Sequence, residues 1–434
     1  MNYKETVQYL YDTAPMFQQV GTGAYKEGLE NSYAIDSKLN HPHSIINTIH
    51  IAGTNGKGST SHLITSILKQ SGYKVGLYTS PHLIDFKERV KINGETIEES
   101  FVIDFVAGYK DFFEEINASF FELTTALAFK YFAEKKVDVA VIEVGLGGRL
   151  DCTNIIHPDL SIITNISFDH VALLGNTLSE IAKEKAGIIK PGVPVVIGET
   201  TEETKKVFLD TVDHVHQNRN LIYFAEEIQP ILSSRLLPSG KWRFETKNYG
   251  IVTGELGGFA QEKNTATVLT AVEELKKSGY KIPDDAVRTG FEKVVENTGL
   301  FGRWQVIQTN PKIVFDTGHN EAGIKYIVQQ LQSETYAKLH IVIGMVNDKD
   351  IDTILKLLPQ NAVYYFTQAA IPRALDSGAL KNKADLSGLT GDSYLTVKEA
   401  LEAAKSAAGV NDFIFVGGST FVVADALSAQ KFEL

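Results

Sequence analysis

Ile49-His50-Ile51-Ala52-Gly53-Thr54-Asn55-Gly56-Lys57-Gly58-Ser59-Thr60 is a short alternating strand running into three glycines that bracket a lysine and two hydroxyls. This order reads as a phosphate cradle. Glycines at 53, 56 and 58 permit turns closed to other residues, so successive N–H groups can face phosphate oxygens. The following helix opens at this loop, and the partial positive charge of its first turn favours an anion there. Lys57 can reach the terminal phosphates, and Ser59 or Thr60 can offer a hydroxyl to magnesium. The spacing departs from the common P-loop, because Ile51 stands where that motif needs glycine and Gly58 where it needs Ser or Thr. A glycine turn that merely joined a strand to a helix would need neither the lysine nor the flanking hydroxyls.

Outward from this loop the chain alternates strand and helix. Upstream, residues 1–47 read as a helix, a polar loop from Gly21 to Leu29 that is either a connection or a substrate lid, and a second helix ending near Asn40. Downstream, Leu63, Ile64, Ile67 and Leu68 keep a helical period until Gly72, and Lys74 to Thr79 is a strand, which completes a β-α-β unit. Helices at about 98–117 and 121–136 precede the strand Val137 to Val144, apolar on both faces as a buried parallel strand should be. The strand Ser161 to Ile166 leads to Asp169-His170, and Thr177-Leu-Ser-Glu180 is a capping box that opens the next helix. Residues 199–255 suggest short strands at a domain edge, and a helix runs from about Gln261 to Lys277.

Asn297 to Gly302 has the character of a linker. Beyond it Ile313 to Phe315, Leu339 to Gly344, Val363 to Phe366 and Phe413 to Val416 are short apolar strands separated by helical patterns. The expected architecture is α/β: a mostly parallel, P-loop-type sheet domain over residues 1–297, followed by a smaller Rossmann-like α/β domain over 298–434.

Composition sets outer limits. With 434 residues the chain exceeds one ordinary core, and 43% hydrophobic and 22% charged residues describe a globular protein. No apolar run approaches the roughly 20 residues of a membrane span, and MNYKETVQYLYD lacks a secretory pattern, so a cytoplasmic protein is expected. The single cysteine, Cys152, excludes an internal disulfide framework and a cysteine-based metal cluster. A formal charge of −11, from 42 basic and 53 acidic residues, argues against a nucleic-acid surface.

Three separate strands of the first domain end in groups suited to a hard cation: Ser80, Glu143 and His170. One carboxylate, one hydroxyl and ATP phosphates make a reasonable magnesium shell, with the imidazole a less usual addition. Singly, each has a plainer role: Ser80 capping a turn, His170 bonding within a loop, Glu143 pairing with a lysine.

Gly53-Thr-Asn-Gly-Lys-Gly-Ser59 resembles the ATP-dependent amide ligases of the Mur ligase superfamily, in particular their folylpolyglutamate synthase/dihydrofolate synthase branch. The resemblance implies that Gly53, Thr54, Asn55, Gly56, Lys57, Gly58 and Ser59 bind ATP, and that Ser59, Ser80, Glu143 and His170 hold magnesium. Glu184-Lys185-Ala186-Gly187 resembles the family segment whose lysine is carbamylated, which would make Lys185 an anionic ligand; an exposed helix lysine is the plain alternative. Asn264, Arg303, Asp316 and His319 match nucleotide contacts, implying an ATP site shared between domains, although Thr317-Gly318 stands where relatives usually read Gly-Ala. Without the resemblance, Asp316 to Asn320 reads equally well as a helix cap.

On the acceptor side, His82 in Ser80-Pro-His-Leu, Arg89, Phe121, Arg149 and Asp151 resemble folate-binding positions, with Phe121 stacking on a pterin or packing in the core. Arg149 could instead pair with Asp151 in a tight loop. Arg373 and Ser419 are the matching candidates for the incoming glutamate. The implied enzyme adds L-glutamate to reduced folates, and also to dihydropteroate, through an acyl phosphate, with Lys57, His170 and Lys185 as catalytic residues. It would use ATP, two Mg2+ ions and a monovalent cation, and act as a monomer without nucleic-acid or membrane partners. Two rival readings are a peptidoglycan-precursor ligase, disfavoured by the mere 48 or so residues before the loop strand, and a P-loop NTPase switch, which leaves Lys185, Asp316 and His319 unexplained.

Overall fold

The computed structural model describes residues 1–13, 28–216, 218–347 and 350–430. The polar loop read above as a connection or lid falls outside these residues over 21–27. The chain divides into two compact units: residues 1–255 with 261–299, and residues 256–260 with 300–434.

The first unit is built on an eight-stranded sheet. Its strands are β1 (Thr48–Ala52), β2 (Val75–Tyr78), β3 (Val90–Ile92), β4 (Glu95–Thr96), β5 (Val139–Glu143), β6 (Leu160–Ile163), β7 (Val195–Ile197) and β8 (Ile222–Phe224), in the spatial order β4-β3-β2-β5-β1-β6-β7-β8. From β2 to β8 all neighbours are parallel, while β3 and β4 form an antiparallel margin. β1 and β5 are buried along their whole length, because helices cover both faces of a parallel sheet; β5 is accordingly an apolar run from Val139 to Ile142, whereas β1 buries the polar Thr48 and His50 as well. The helix Lys57–Gln70 returns the chain from β1 to β2, and the helix Phe120–Glu134 leads into β5. One core lies under the latter helix around Tyr78, Phe113, Phe129 and Phe132. Another lies around Ile163, Ile188, Val195 and Phe208.

This order sets up the chemistry. Parallel strands β2, β5, β1 and β6 are consecutive neighbours, so their carboxyl ends deliver Ser80, Glu143, Gly53 and Thr164 to one edge of the sheet, where open α/β sheets bind ligands.

Residues 199–255 differ from the expected short strands. Glu202–Val215 is a helix, opened by a capping box between Thr201 and Thr204. Its buried face, Thr204, Val207, Phe208 and Val212, has helical spacing, but the polar residues between them dilute that signal. β8 then extends the large sheet, and β9 (Ile231–Leu236), β10 (Trp242–Thr246) and β11 (Gly250–Gly254) form a separate antiparallel sheet.

The second unit is a six-stranded sheet in the order β12-β13-β17-β14-β15-β16, comprising β12 (Gln305–Thr309), β13 (Lys312–Phe315), β14 (Leu339–Ile343), β15 (Ala362–Phe366), β16 (Gly391–Ser393) and β17 (Phe413–Gly417). Its four central strands are the apolar runs read from sequence. The two edges, β12 and β16, are polar and largely exposed, as suits strands whose outer hydrogen-bonding row faces water.

Candidate active site

Two of the three glycines in the loop after β1 have the conformation expected of them, whereas Gly58 lies in the first turn of the helix Lys57–Gln70 without a positive φ. Gly53 has φ +145° and Gly56 φ +82°, backbone that side chains adopt only with strain. A Cβ on Gly56 would also lie 2.3 Å from Asn264 Oδ1, so glycine is required here for close approach as well as for the turn. Gly56 is the N-cap of the helix Lys57–Gln70, whose free N–H groups face the loop.

Lys57 Nζ donates to the carbonyls of Gly53 (3.0 Å) and Thr54 (3.2 Å). Lys185, read from the Glu-Lys-Ala-Gly segment, reaches the same place: its Nζ donates to Gly53 O at 3.0 Å. Two lysines thus share one carbonyl oxygen, and Lys185 is only 4% exposed. Burial, reinforced by Lys57, lowers the Lys185 amine from its ordinary value to about 7. Glu143, also 4% exposed, accepts from the backbone N–H of Ser80 at 3.1 Å, so these two proposed ligands are brought together across β2 and β5. Ser59 Oγ is buried and accepts from Gln261 Nε2 at 3.3 Å, and Asn264 Nδ2 donates to Gln261 Oε1 at 3.0 Å. His170 has φ +50° and caps the short helix Val171–Leu174, with its ring beside Asp169 at 3.9 Å. Hydroxyl and carboxylate oxygens suit magnesium. The two ammonium groups on Gly53 O oppose it, and conversion of one to an anion would remove that conflict.

The loop after β6 supplies residues that sequence reasoning passed over. Thr54 N donates to Asn165 O (3.0 Å), Asn55 N to Asn165 Oδ1 (2.9 Å), Thr54 Oγ1 to Ser167 O (3.1 Å) and Thr164 Oγ1 to Asn55 O (2.5 Å). Thr164, Asn165 and Ser167 therefore hold the phosphate loop in shape. Their position just past a buried strand, adjacent in the sheet to β1, was the available signal.

On the acceptor side, Asp151 is 5% exposed and caps the 3-10 helix Cys152–Ile155. Its carboxylate accepts from the N–H groups of Leu146 (2.8 Å) and Thr153 (3.1 Å) and from Thr153 Oγ1. Burial raises its pKa and these bonds oppose the rise. Behind it stands His50, fully buried in β1, with Nε2 2.8 Å from Thr153 Oγ1. Since that hydroxyl donates to Asp151, His50 must donate through Nε2, and burial pushes its imidazole down to about 3, keeping it neutral. A histidine in an alternating strand carried no hint of this role.

Arg149 is not paired with Asp151. Its Nη2 and Nε donate to Glu184 Oε1 at 3.0 and 3.2 Å, with the side chain half exposed. The Phe121 ring packs beside Tyr78, centroids 6.0 Å apart, and against Gly145. His82 and Arg89 engage each other, Nε to Nδ1 at 2.8 Å, and Arg89 is buried over the Phe120 ring.

In the second unit, Asp316 accepts from the N–H groups of Trp304 and Gly318, both at 2.7 Å. Arg303 bonds to Thr317 Oγ1, and His319 Nδ1 donates to Thr317 O at 3.0 Å. The capping role belongs to Asn320, whose Oδ1 accepts from Gly323 N at 2.9 Å. Ser419 caps the helix Thr420–Ala429 through Phe421 N (3.1 Å), and the Arg373 guanidinium lies 5.4 Å from the Phe421 ring centroid, which gathers these two candidates.

Residues 51–205 match the Mur ligase middle domain, and residues 302–420 the Mur ligase glutamate ligase domain. The dihydrofolate synthase/folylpolyglutamate synthase of Bacillus subtilis is 34% identical over 421 residues, covering 94% of this chain and 95% of the relative. The structure of Escherichia coli FolC with DHPP and ADP superposes with a TM-score of 0.82 at 29% identity, covering 99% and 98% of the two chains. The bifunctional enzyme of Yersinia pestis with AMPPNP and a Mn ion gives 0.81 at 27%, covering 100% and 98%. The chain belongs to the dihydrofolate synthase/folylpolyglutamate synthase family of Mur ligases.

Proposed function

We propose that this protein is an ATP-dependent ligase that adds L-glutamate to reduced folates and to dihydropteroate. The observation that carries this reading is the convergence of Lys57 and Lys185 on Gly53 O beside Ser59, with Glu143 and Ser80 on the neighbouring strands. The phosphate loop and the acceptor residues belong to the first unit, and in the second unit Arg303, Asp316 and His319 are the candidates for nucleotide and Arg373 and Ser419 for glutamate.

In the reaction, an acceptor carboxylate oxygen attacks the γ-phosphorus of ATP while the bond to the ADP oxygen breaks, giving an acyl phosphate. The amine of L-glutamate then attacks the acyl carbon, phosphate departs with the C–O bond pair, and the nitrogen loses a proton. Lys57 leaves the Gly53 and Thr54 carbonyls to meet the γ-phosphoryl group, and the N-terminal N–H groups of its helix stabilise the charge gathering there. Ser59, Ser80, Glu143 and His170 would hold magnesium, which would supply Lewis-acid charge to the phosphates. Lys185, buried and with its amine brought down to about 7 so that a large share is unprotonated near neutral pH, is the amine to carbamylate: its nitrogen bonds the carbon of CO2, one C–O π pair moves to oxygen, and the nitrogen releases a proton. The resulting carbamate replaces a misfit cation with an anionic oxygen beside the metal. A monovalent cation, a cytoplasmic location and a monomeric state complete the reading.

Purified protein given ATP with either tetrahydrofolate or dihydropteroate should release ADP only when L-glutamate is also present. ADP release independent of both acceptor and glutamate would point to an NTPase instead. Arg149, tied to Glu184 beside Asp151, is assigned to the shorter acceptor, so Arg149→Ala should impair dihydropteroate more than folate. Equal loss of both removes that assignment.

A further inference from the structure

Asp36 lies in the helix Glu30–Lys38, on an element that gives nothing to the phosphate loop. Its carboxylate is buried, 3% exposed, and each oxygen meets a different imidazole: Oδ2 is 2.7 Å from His41 Nδ1, and Oδ1 is 2.7 Å from His43 Nδ1. The turn that delivers them is specific. Asn40 and His41 both have positive φ, 64° and 55°, His41 N donates to Asp36 O at 2.8 Å, and Pro42 follows at the start of the 3-10 helix Pro42–Ile45. Among the described residues, no lysine or arginine forms an ion pair with Asp36. A buried carboxylate with only two imidazoles for company needs positive charge from them or from a bound ion.

We propose that Asp36, His41 and His43 form a site for a divalent transition metal of the zinc class. Two imidazole nitrogens and one carboxylate oxygen are a donor set such ions favour, whereas magnesium and calcium prefer oxygen alone. One ligand atom from each residue already lies within 4.8 Å of the others. A tetrahedral ion with bonds of about 2.0–2.1 Å needs them roughly 3.3 Å apart. His41 can close that gap: its side chain is 60% exposed, against 20% for His43 and 3% for Asp36. Metal binding takes the lone pair of each Nδ1: a neutral imidazole shifts its single proton from Nδ1 to Nε2, and a protonated one keeps its Nε2 proton and releases the Nδ1 proton to solvent. The fourth position opens on the exposed His41 side and takes water.

The test uses the full-length protein, stripped with a chelator and kept in excess Mg2+ to saturate any hard-ion site, then titrated with Co2+ and followed by its visible d–d spectrum. One equivalent should bind with a tetrahedral-type spectrum, resist displacement by Mg2+ and yield to Zn2+. His41→Gln, whose amide can still donate to Asp36, should keep the wild-type circular dichroism spectrum and weaken Co2+ binding on the order of tenfold or more, while ligase turnover in Mg2+ stays unchanged. No such spectrum in the wild type, or identical Co2+ binding by wild type and His41→Gln, would overturn the site and leave a hydrogen-bonded clasp.

Discussion

Gly145→Ala offers a sharp probe of the acceptor side, because its whole effect passes through one ring. The backbone at Gly145 is not in the left-handed region, so alanine adds no backbone strain, but its Cβ would fall 2.2, 2.6 and 2.8 Å from Cζ, Cε1 and Cε2 of Phe121. To regain ordinary contact the ring tip must retreat by about 1.2 Å. It cannot do so freely, since Tyr78 beside it is fully buried with its hydroxyl bonded to Thr124 (3.0 Å) and Thr125 (3.1 Å). Overpacking of this kind costs about 1–3 kcal/mol, and the stiffer unfolded chain returns roughly 0.4–1 kcal/mol. A net loss of ~1–2 kcal/mol is expected in urea denaturation.

The double variant decides the cause. With Phe121→Ala the obstructing ring is gone, so adding Gly145→Ala should stabilise by the roughly 0.4–1 kcal/mol of the unfolded-chain effect, a coupling of about 1–3 kcal/mol. Equal cost of Gly145→Ala with and without the ring would refute the clash. If Phe121 also stacks on the pterin, both single variants should raise the KM for the acceptor while the KM for ATP holds; unchanged acceptor KM in both would place Phe121 in the core alone.

Lys57→Ala should abolish ligation with an unaltered circular dichroism spectrum, and near-normal turnover by the folded variant would remove the phosphate-loop assignment. Protein equilibrated with 13C-bicarbonate should show a carbamate resonance that Lys185→Gln lacks; identical spectra would exclude the modification. Without CO2, the lowered pKa of Lys185 makes the unfolded chain bind the extra proton, so the Lys185 contribution to stability should fall as pH drops from about 10.5 towards about 7, a difference between wild type and Lys185→Gln that bicarbonate should reduce. His50→Leu should raise the acceptor KM by freeing the Thr153 hydroxyl that orients Asp151, and His50→Gln, which keeps a donor, should recover part of it; equal behaviour of the two variants would assign His50 to packing.

What could be read in advance follows from where information sits along the chain. The phosphate loop was legible because glycines, lysine and hydroxyls are contiguous, and central strands such as β5 and β17 because burial on both faces favours apolar runs. The helix Glu202–Val215 escaped because only one narrow stripe of it is buried. Edge strands β12 and β16 escaped because their exposed polar residues resemble loops. Side-chain partnership was the least visible layer: the Arg149 pair with Glu184 and the line from His50 through Thr153 to Asp151 join residues 35 and 103 positions apart, and no local pattern encodes such distances.

The hold that Thr164, Asn165 and Ser167 have on the phosphate loop bears on protein engineering. Residues 53–60 are not a portable cassette. Grafted alone after a strand of another α/β scaffold, they would leave Thr54 N, Thr54 Oγ1, Asn55 N and Asn55 O without the partners they have here, each unmet group costing about 1–3 kcal/mol where it is shut away from water. A transplant that binds nucleotide must carry two segments, the donor loop and the turn after the adjacent strand, and must keep those strands side by side.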